Sequence, residues 1–314
     1  MIVVTGATGQ LGKAVVEDLL RRVPTERIAV SVRDIGKAAD LARQGVAVRQ
    51  ADFADEASLR AAFEGSDQVL IVSANKLGEE ALRLHRTAIA AARAVGVRRI
   101  LYTSHAGARL GSSFPPADQH AGTETDLAGG GSWTALRHGF YAESCLFMVG
   151  DGLRAGELCT PEDGLVAWTA RADLAEADAA ILAAGDGWDG PTPPLTAGRA
   201  VTMAEVAAIA SEVTGRAVRH TVIGDVEWRD AKIAGGMPAL YANMLLGTFQ
   251  AARRGGLRGD RPCVGGVAGP AAPDDARGAG SRGSLIADVS PPARNRRTAG
   301  QTPGRSVLRD QLSC

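Results

Sequence analysis

The run Ile2-Val3-Val4-Thr5 opens directly into Gly6-Ala7-Thr8-Gly9-Gln10-Leu11-Gly12 and then Lys13-Ala14-Val15-Val16-Glu17-Asp18-Leu19-Leu20, and this stretch decides the fold. It reads as strand, glycine turn and helix. Glycines at every third position let the backbone double back after the strand, and they let a pyrophosphate approach amides at a helix N-terminus, where the dipole favours an anion. The spacing is G-x-x-G-x-x-G rather than G-x-G-x-x-G, so the motif alone is weaker than the usual dinucleotide signature. Its setting between a β-branched run and an amphipathic helix makes a cofactor site the preferred reading.

The following segments repeat the pattern. Ile28–Val32 reads as a second strand, ending in Arg33 and Asp34, with Lys37 one helical turn further on. An acidic residue at this place receives ribose hydroxyls, whereas an arginine suits a 2′-phosphate, so NADPH is favoured over NADH. An exposed Arg33–Asp34 pair with no cofactor role is the alternative. A helix over 36–44 is expected next, then strands over 46–50, 68–72 and 99–104. Asp52 and Phe53 leave the third strand where an adenine would lie, and Asp55 is placed to cap the next helix. The later strands end in Ser73-Ala74-Asn75 and in Thr103-Ser104. Strand, polar end and helix in succession predict a parallel α/β sheet with the ligand along the C-terminal edge of its strands. His85 falls on the helix over 79–95 and receives no role.

Composition narrows the function classes. The 314 residues carry zero formal net charge, which argues against a nucleic-acid partner, and no apolar stretch has transmembrane length. With a strand beginning at residue 2, no signal peptide is expected and the chain is read as cytoplasmic. Cys145, Cys159, Cys263 and Cys314 have neither paired spacing nor histidine-rich surroundings, so free thiols are expected rather than a disulfide framework or a metal site.

Val4–Gly12, Val32-Arg33-Asp34, Val48–Phe53, Tyr102-Thr103-Ser104 and Leu136-Arg137-His138-Gly139-Phe140-Tyr141-Ala142-Glu143 resemble the NmrA-like atypical short-chain dehydrogenases. More narrowly, they resemble its flavin-independent quinone-reductase and triphenylmethane-reductase branch, over about residues 1 to 252. The resemblance implies a Rossmann-type doubly wound parallel sheet (1–143) and a small C-terminal α/β substrate lobe (144–252), with later segments returning to the sheet. It implies NADPH, no flavin and no metal, and a quinone or similar planar aromatic acceptor; a homodimer is left open. Gly6, Ala7, Thr8, Gly9, Gln10 and Leu11 would hold the pyrophosphate and Arg33 the 2′-phosphate. Ser73, Ala74, Asn75, Thr103 and Ser104 would border the ribose and nicotinamide. In the segment that follows the sixth strand, Arg137 falls to the cofactor and Gly139, Phe140, Tyr141 and Ala142 to the substrate. His138 and Phe140 stand where relatives often carry Asn and Trp, which bears on acceptor shape.

Short-chain dehydrogenases of the usual kind need a tyrosine acid and a lysine four residues later, but Tyr102, Tyr141 and Tyr241 are followed at that distance by Ala106, Cys145 and Leu245. Carbonyl reduction and epimerisation need that pair to move a proton on or off an alkoxide. Quinone reduction yields a phenolate, a much weaker base, so positioning and a proton from water or His120 suffice. His120 and Glu124 have His-x-x-x-Glu spacing and would share a helical face, as a polar wall beside the nicotinamide or as a plain surface pair. His120 and Tyr141 are the candidate catalytic residues. A dinucleotide-binding redox sensor without turnover is the competing class.

In the lobe, a strand is expected over 164–169, Asp173 as the N-cap of a helix through Ala184, and a capping box at Thr202–Glu205. Trp228, Met237 and Met244 are read as core before acceptor pocket. From Arg253 on the character changes: there is no lysine, glutamate or aromatic residue, and 11 arginines face 5 aspartates. A reading-frame change in GC-rich DNA and an authentic basic tail both fit this composition, and neither predicts packed structure.

Overall fold

The computed structural model describes residues 1–185 and 188–258. The tail beyond residue 258 therefore lies outside the described residues.

Strand β1 (Ile2–Thr5) leads through the glycine turn into α1 (Gln10–Leu19), then β2 (Ile28–Val32), the short α2 (Ala39–Arg43), β3 (Ala47–Gln50), α3 (Glu56–Phe63), β4 (Gln68–Ile71) and α4 (Gly78–Ala94). There follow β5 (Arg99–His105), α5 (Pro115–Ala128), β6 (Ser132–His138), α6 (Ala142–Ala155), β7 (Glu157–Thr160) and α7 (Arg171–Ala184). The chain continues with β8 (Gly190–Pro191), α8 (Met203–Thr214), β9 (Arg219–Val222), α9 (Asp225–Ala234) and α10 (Ala239–Arg253). Seven strands form one sheet in the order β3-β2-β1-β4-β5-β6-β8, and all its pairings are parallel. This is the expected Rossmann-type doubly wound sheet, with its switch point between β1 and β4.

The apolar runs explain the layering. β1, β2, β4 and β5 are buried along their whole lengths, as strands covered by helices on both faces must be. One face packs Val15, Val16 and Leu19 of α1 with Leu174 and Leu182 of α7, and the other packs Leu59 and Phe63 of α3 with Ala88 and Ala92 of α4. A third cluster, centred on Cys145, Met148, Trp168, Trp228 and Phe249, builds the lobe of α6, α8, α9 and α10 with the two-stranded parallel pair β7–β9.

Local chemistry sets several boundaries as expected. Asp55 accepts from the amides of Ala57 and Ser58 at the start of α3, and Thr202 and Glu205 form a reciprocal capping box. Other boundaries move. The expected helix over 36–44 splits into a 3-10 turn over Ile35–Ala38 and α2, and Asp34 spends its carboxylate on the Gly36 amide. Asp173 is not an N-cap, because Ala170 occupies that position and Asp173 lies inside the first turn of α7. The expected strand over 164–169 is replaced by isolated bridges, Val166 to Val201 and Tyr141 to Thr169. Between them the Ala167 amide donates to the Leu257 carbonyl, so the apolar pattern is satisfied by tertiary burial rather than by a ladder. Residues just past α10 are held here as well, with Leu257 buried in the lobe core.

Candidate functional site

The site begins at the turn after β1. Gly6 adopts φ +62°, the left-handed region that favours glycine, and its carbonyl accepts from the Gly9 amide to close the turn. A Cβ on Gly12 would stand 2.4 Å from the Gly6 carbonyl oxygen, so the helix can lie this close to the turn only without a side chain there. The first-turn amides of α1 are consequently presented at the C-terminal edge of the sheet, an arrangement suited to a pyrophosphate.

From this turn a cleft of about 1380 Å³ runs along the strand ends and under the lobe. Of the residues expected at the cofactor, Gly6, Thr8, Gly9, Gln10, Leu11, Arg33, Lys37, Asp52, Phe53, Ser73, Ala74, Asn75 and Ser104 line it. Arg33 and Lys37 are exposed beside the end of β2. The Asp34 carboxylate accepts from the Gly36 amide.

Ala7 is buried beneath the turn. Thr103 is buried too and acts from behind, its Oγ1 accepting from the Ser73 amide at 2.9 Å and so fixing the end of β4. Arg137 is turned away from the cleft and held two-pronged by Glu124, Nε to Oε1 at 3.0 Å and Nη2 to Oε2 at 2.6 Å. That ion pair raises the Arg137 pKa, and Ser104 donates to the same Glu124 at 2.6 Å. His120 and Glu124 therefore share a face of α5 yet are no surface pair, since Glu124 is buried against β5 and β6.

At the other end of the cleft Gly139, Phe140 and Tyr141 line the wall, while Ala142 is buried at the start of α6 and does not. Leu146, Phe147, Tyr241, Met244 and Leu245 complete an apolar and aromatic mouth. Trp228 is core, stacked edge-on to Phe249, and Met237 packs against that core from outside. Of the three lobe residues singled out from the sequence, Met244 alone reaches the cleft.

Three histidines gather here: His120, a catalytic candidate, His138, noted for its bearing on acceptor shape, and His105, which carried no expected role. His120 Nδ1 is 2.7 Å from the Tyr102 hydroxyl, His105 Nδ1 accepts from the Gly107 amide at 2.9 Å, and His138 Nε2 donates to Asp178 Oδ1 at 2.8 Å. Burial drives the His105 pKa down to about 4 and the His120 pKa well below the ordinary imidazole range. The Asp178 carboxyl is pushed up by burial against the opposing pull of His138. His85, left without a role, is fully buried and accepts from the Ala74 amide at 2.9 Å, so it shapes the loop after β4. Arg171 was also missed. Its guanidinium lies 4.8 Å over the Tyr141 ring and donates to Gln10 of the phosphate turn, joining the two ends of the cleft. No local pattern could reveal it, because that contact spans 161 residues.

Among the described residues there is no group of three or more His, Cys, Asp or Glu that could hold a metal ion, and no helix is long and apolar enough to cross a membrane. Burial pushes the Cys145 thiol up to about 12, so it is a packing residue.

A model of the NmrA-like family matches residues 1–256. Quinone oxidoreductase 2 of Escherichia coli (strain K12) is 38% identical over 262 residues, covering 83% of this chain and 91% of that protein. The crystal structure of an NADPH-dependent quinone oxidoreductase from E. coli, complexed with NADPH, superimposes with a TM-score of 0.76 at 37% identity, covering 82% of this chain and 90% of that one. The triphenylmethane reductase of Citrobacter sp., complexed with NADP(H), gives a TM-score of 0.79 at 32% identity, covering 87% and 97%.

Proposed function

The chain belongs to the NmrA-like family, and from that premise we propose that it transfers hydride from NADPH to a quinone or similar planar acceptor without a flavin. Its relatives make it an oxidoreductase; the donor, the acceptor and the residues that serve them are the proposal. The observation that carries it is the single cleft that joins the glycine turn to the aromatic mouth. A dinucleotide laid from Arg33 and Lys37 across the turn would end beside Ser104, His105 and His120, with room next to it for a flat ring. Bound there, NADPH supplies the hydride.

The chain's own residues then have distinct tasks. First-turn amides of α1 and the cradle that Gly6 and Gly12 keep open receive the pyrophosphate. Arg33 and Lys37 receive the 2′-phosphate, with Arg33 as the planar donor suited to it. The ribose and nicotinamide are bordered by Ser73, Ala74, Asn75 and Ser104. Phe140, Tyr141, Phe147 and Met244 hold the acceptor face to face with the reduced ring, and the alignment rather than a charged acid supplies most of the rate. Arg171 clamps Tyr141 to the phosphate turn, so acceptor and cofactor walls move together. His120 faces the product oxygen, which takes its proton from water.

The test is NADPH oxidation followed at its absorbance band with a panel of quinones and triphenylmethane dyes. Acceptor-dependent oxidation by the flavin-free protein is expected. Cofactor binding with no acceptor-dependent oxidation would replace the proposal by a redox-sensing binding protein.

A further inference from the structure

Two neutral imidazoles with fixed tautomers lie side by side at the acceptor end of the cleft. The His105 and His120 rings are 6.1 Å apart by centroid and only 17° from parallel, and both line the cleft. Each is tied from behind at Nδ1. The Gly107 amide is an obligate donor, so His105 Nδ1 must be a bare acceptor and the ring's proton sits on Nε2. That Nε2 is buried and has no hydrogen-bond partner within the protein.

The His120 tautomer follows from a longer chain. His85 Nε2 accepts from the Ala74 amide, which puts the His85 proton on Nδ1. That N–H faces Thr123 Oγ1 at 2.9 Å and the Tyr102 oxygen at 3.4 Å. The Thr123 hydroxyl gives its own proton to the Gln119 carbonyl at 3.1 Å. Assigning the Tyr102 proton to His120 Nδ1, 2.7 Å away, leaves the His120 proton on Nε2 as well. Burial raises the Tyr102 pKa far above the ordinary phenol value, so this hydroxyl keeps its proton.

We propose that His105 and His120 form an oxyanion cradle, two Nε2–H donors that converge on the acceptor oxygen as it becomes a phenolate or enolate. The inference rests on the hydride-transfer reading above and deepens it by naming the acceptors the cradle serves, those with a conjugated carbonyl oxygen; a triphenylmethane dye, which has none, is reduced without it. Hydride enters the conjugated system with its electron pair, and the C=O π pair moves onto the oxygen. The acceptor is thereby reduced by two electrons and the cofactor oxidised, and water protonates the oxygen afterwards. Neither histidine changes its protonation state. A preorganised pair of neutral donors stabilises the charge as it develops and needs no reorganisation. An unpartnered buried N–H costs free energy in the resting protein, and the acceptor oxygen satisfies it.

The charged and titratable groups facing the two rings are Tyr102 on β5, His85 on α4, the Glu124–Arg137 pair between α5 and β6, and His138 of β6 with Asp178 of α7. Desolvation lowers the pKa of both rings and keeps them neutral over the physiological range, so catalysis should show no break near the ordinary imidazole pKa.

The experiment binds 4-nitrophenol to the protein saturated with NADP⁺ and reads the phenol–phenolate absorbance against pH. The cradle predicts that the phenolate binds about tenfold or more tighter than the phenol. His105→Leu and His120→Leu should each abolish most of that preference, and His105→Gln and His120→Gln, which keep an N–H donor near the Nε2 position, should restore part of it. With a quinone, each Leu variant should lower kcat by about 10²-fold with the KM for NADPH unchanged. Equal affinity for phenol and phenolate in the unaltered protein, or a kcat profile with an imidazole break that His120→Gln removes, overturns the cradle. A phenolate preference in a protein that oxidises no NADPH supports the cradle and removes the reductase reading instead.

Discussion

At the scale of single residues, Arg33 and Gly12 carry the cofactor assignment. Arg33→Ala should weaken NADPH by about 10- to 100-fold and leave NADH nearly unchanged, measured as dissociation constants for the two cofactors. An equal loss for both would remove the 2′-phosphate from this corner. Gly12→Ala places a methyl group 2.4 Å from the Gly6 carbonyl oxygen, so the turn must open and binding of both cofactors should fail together. These residues were readable in the sequence because their chemistry is local. Arg137 was not, since it is adjacent to the segment that does line the cleft but finds Glu124 on a facing helix 13 residues earlier. His105 and Tyr102 escaped for the same reason: a histidine at the end of an apolar strand reads as core until its Nδ1 partner is seen.

Elements place these residues. The sheet order brings the ends of β1, β4 and β5 together, and α10 closes the cleft from the lobe side with Tyr241, Met244 and Leu245. On α10, Gly247 has the Ser113 carbonyl oxygen 2.4 Å from where a Cβ would stand, so the helix sits against the segment that leads into α5. Gly247→Val should push α10 outward and cost about 1–3 kcal/mol of stability by overpacking. It should raise the KM for the acceptor while leaving NADPH affinity unchanged, which steady-state kinetics and a thermal melt would show together. The strand and helix sequence of the sheet half was legible because buried parallel strands are continuous apolar runs bounded by turns. The lobe was less so. Its 164–169 segment has strand-like residues, but its polar backbone is satisfied by Leu257 and Val201 far along the chain, and only tertiary structure decides that.

For the molecule as a whole, the buried histidines make stability depend on pH. His85 and His105 are each held to about 4 from an ordinary 6.5. Their folded pKa is depressed, so the unfolded chain binds more protons between these values. The contribution is full above about pH 6.5 and is lost as pH falls toward 4, by at most roughly 3 kcal/mol for each ring. The melting temperature should drop steeply across that window, and His85→Gln should flatten part of the drop; a melting temperature level from neutrality down to 4 would contradict the burial of these rings.

In the proposed reaction hydride passes directly from NADPH to a planar acceptor held in the same cleft. NADPH deuterated at the transferring position of the nicotinamide, reacted with a triphenylmethane dye and the flavin-free protein, tests it most directly. Mass spectrometry is expected to find the deuterium on the central carbon of the reduced dye. A reduced dye carrying hydrogen from solvent at that carbon, or NADPH bound without any reduction of dye or quinone, would contradict it.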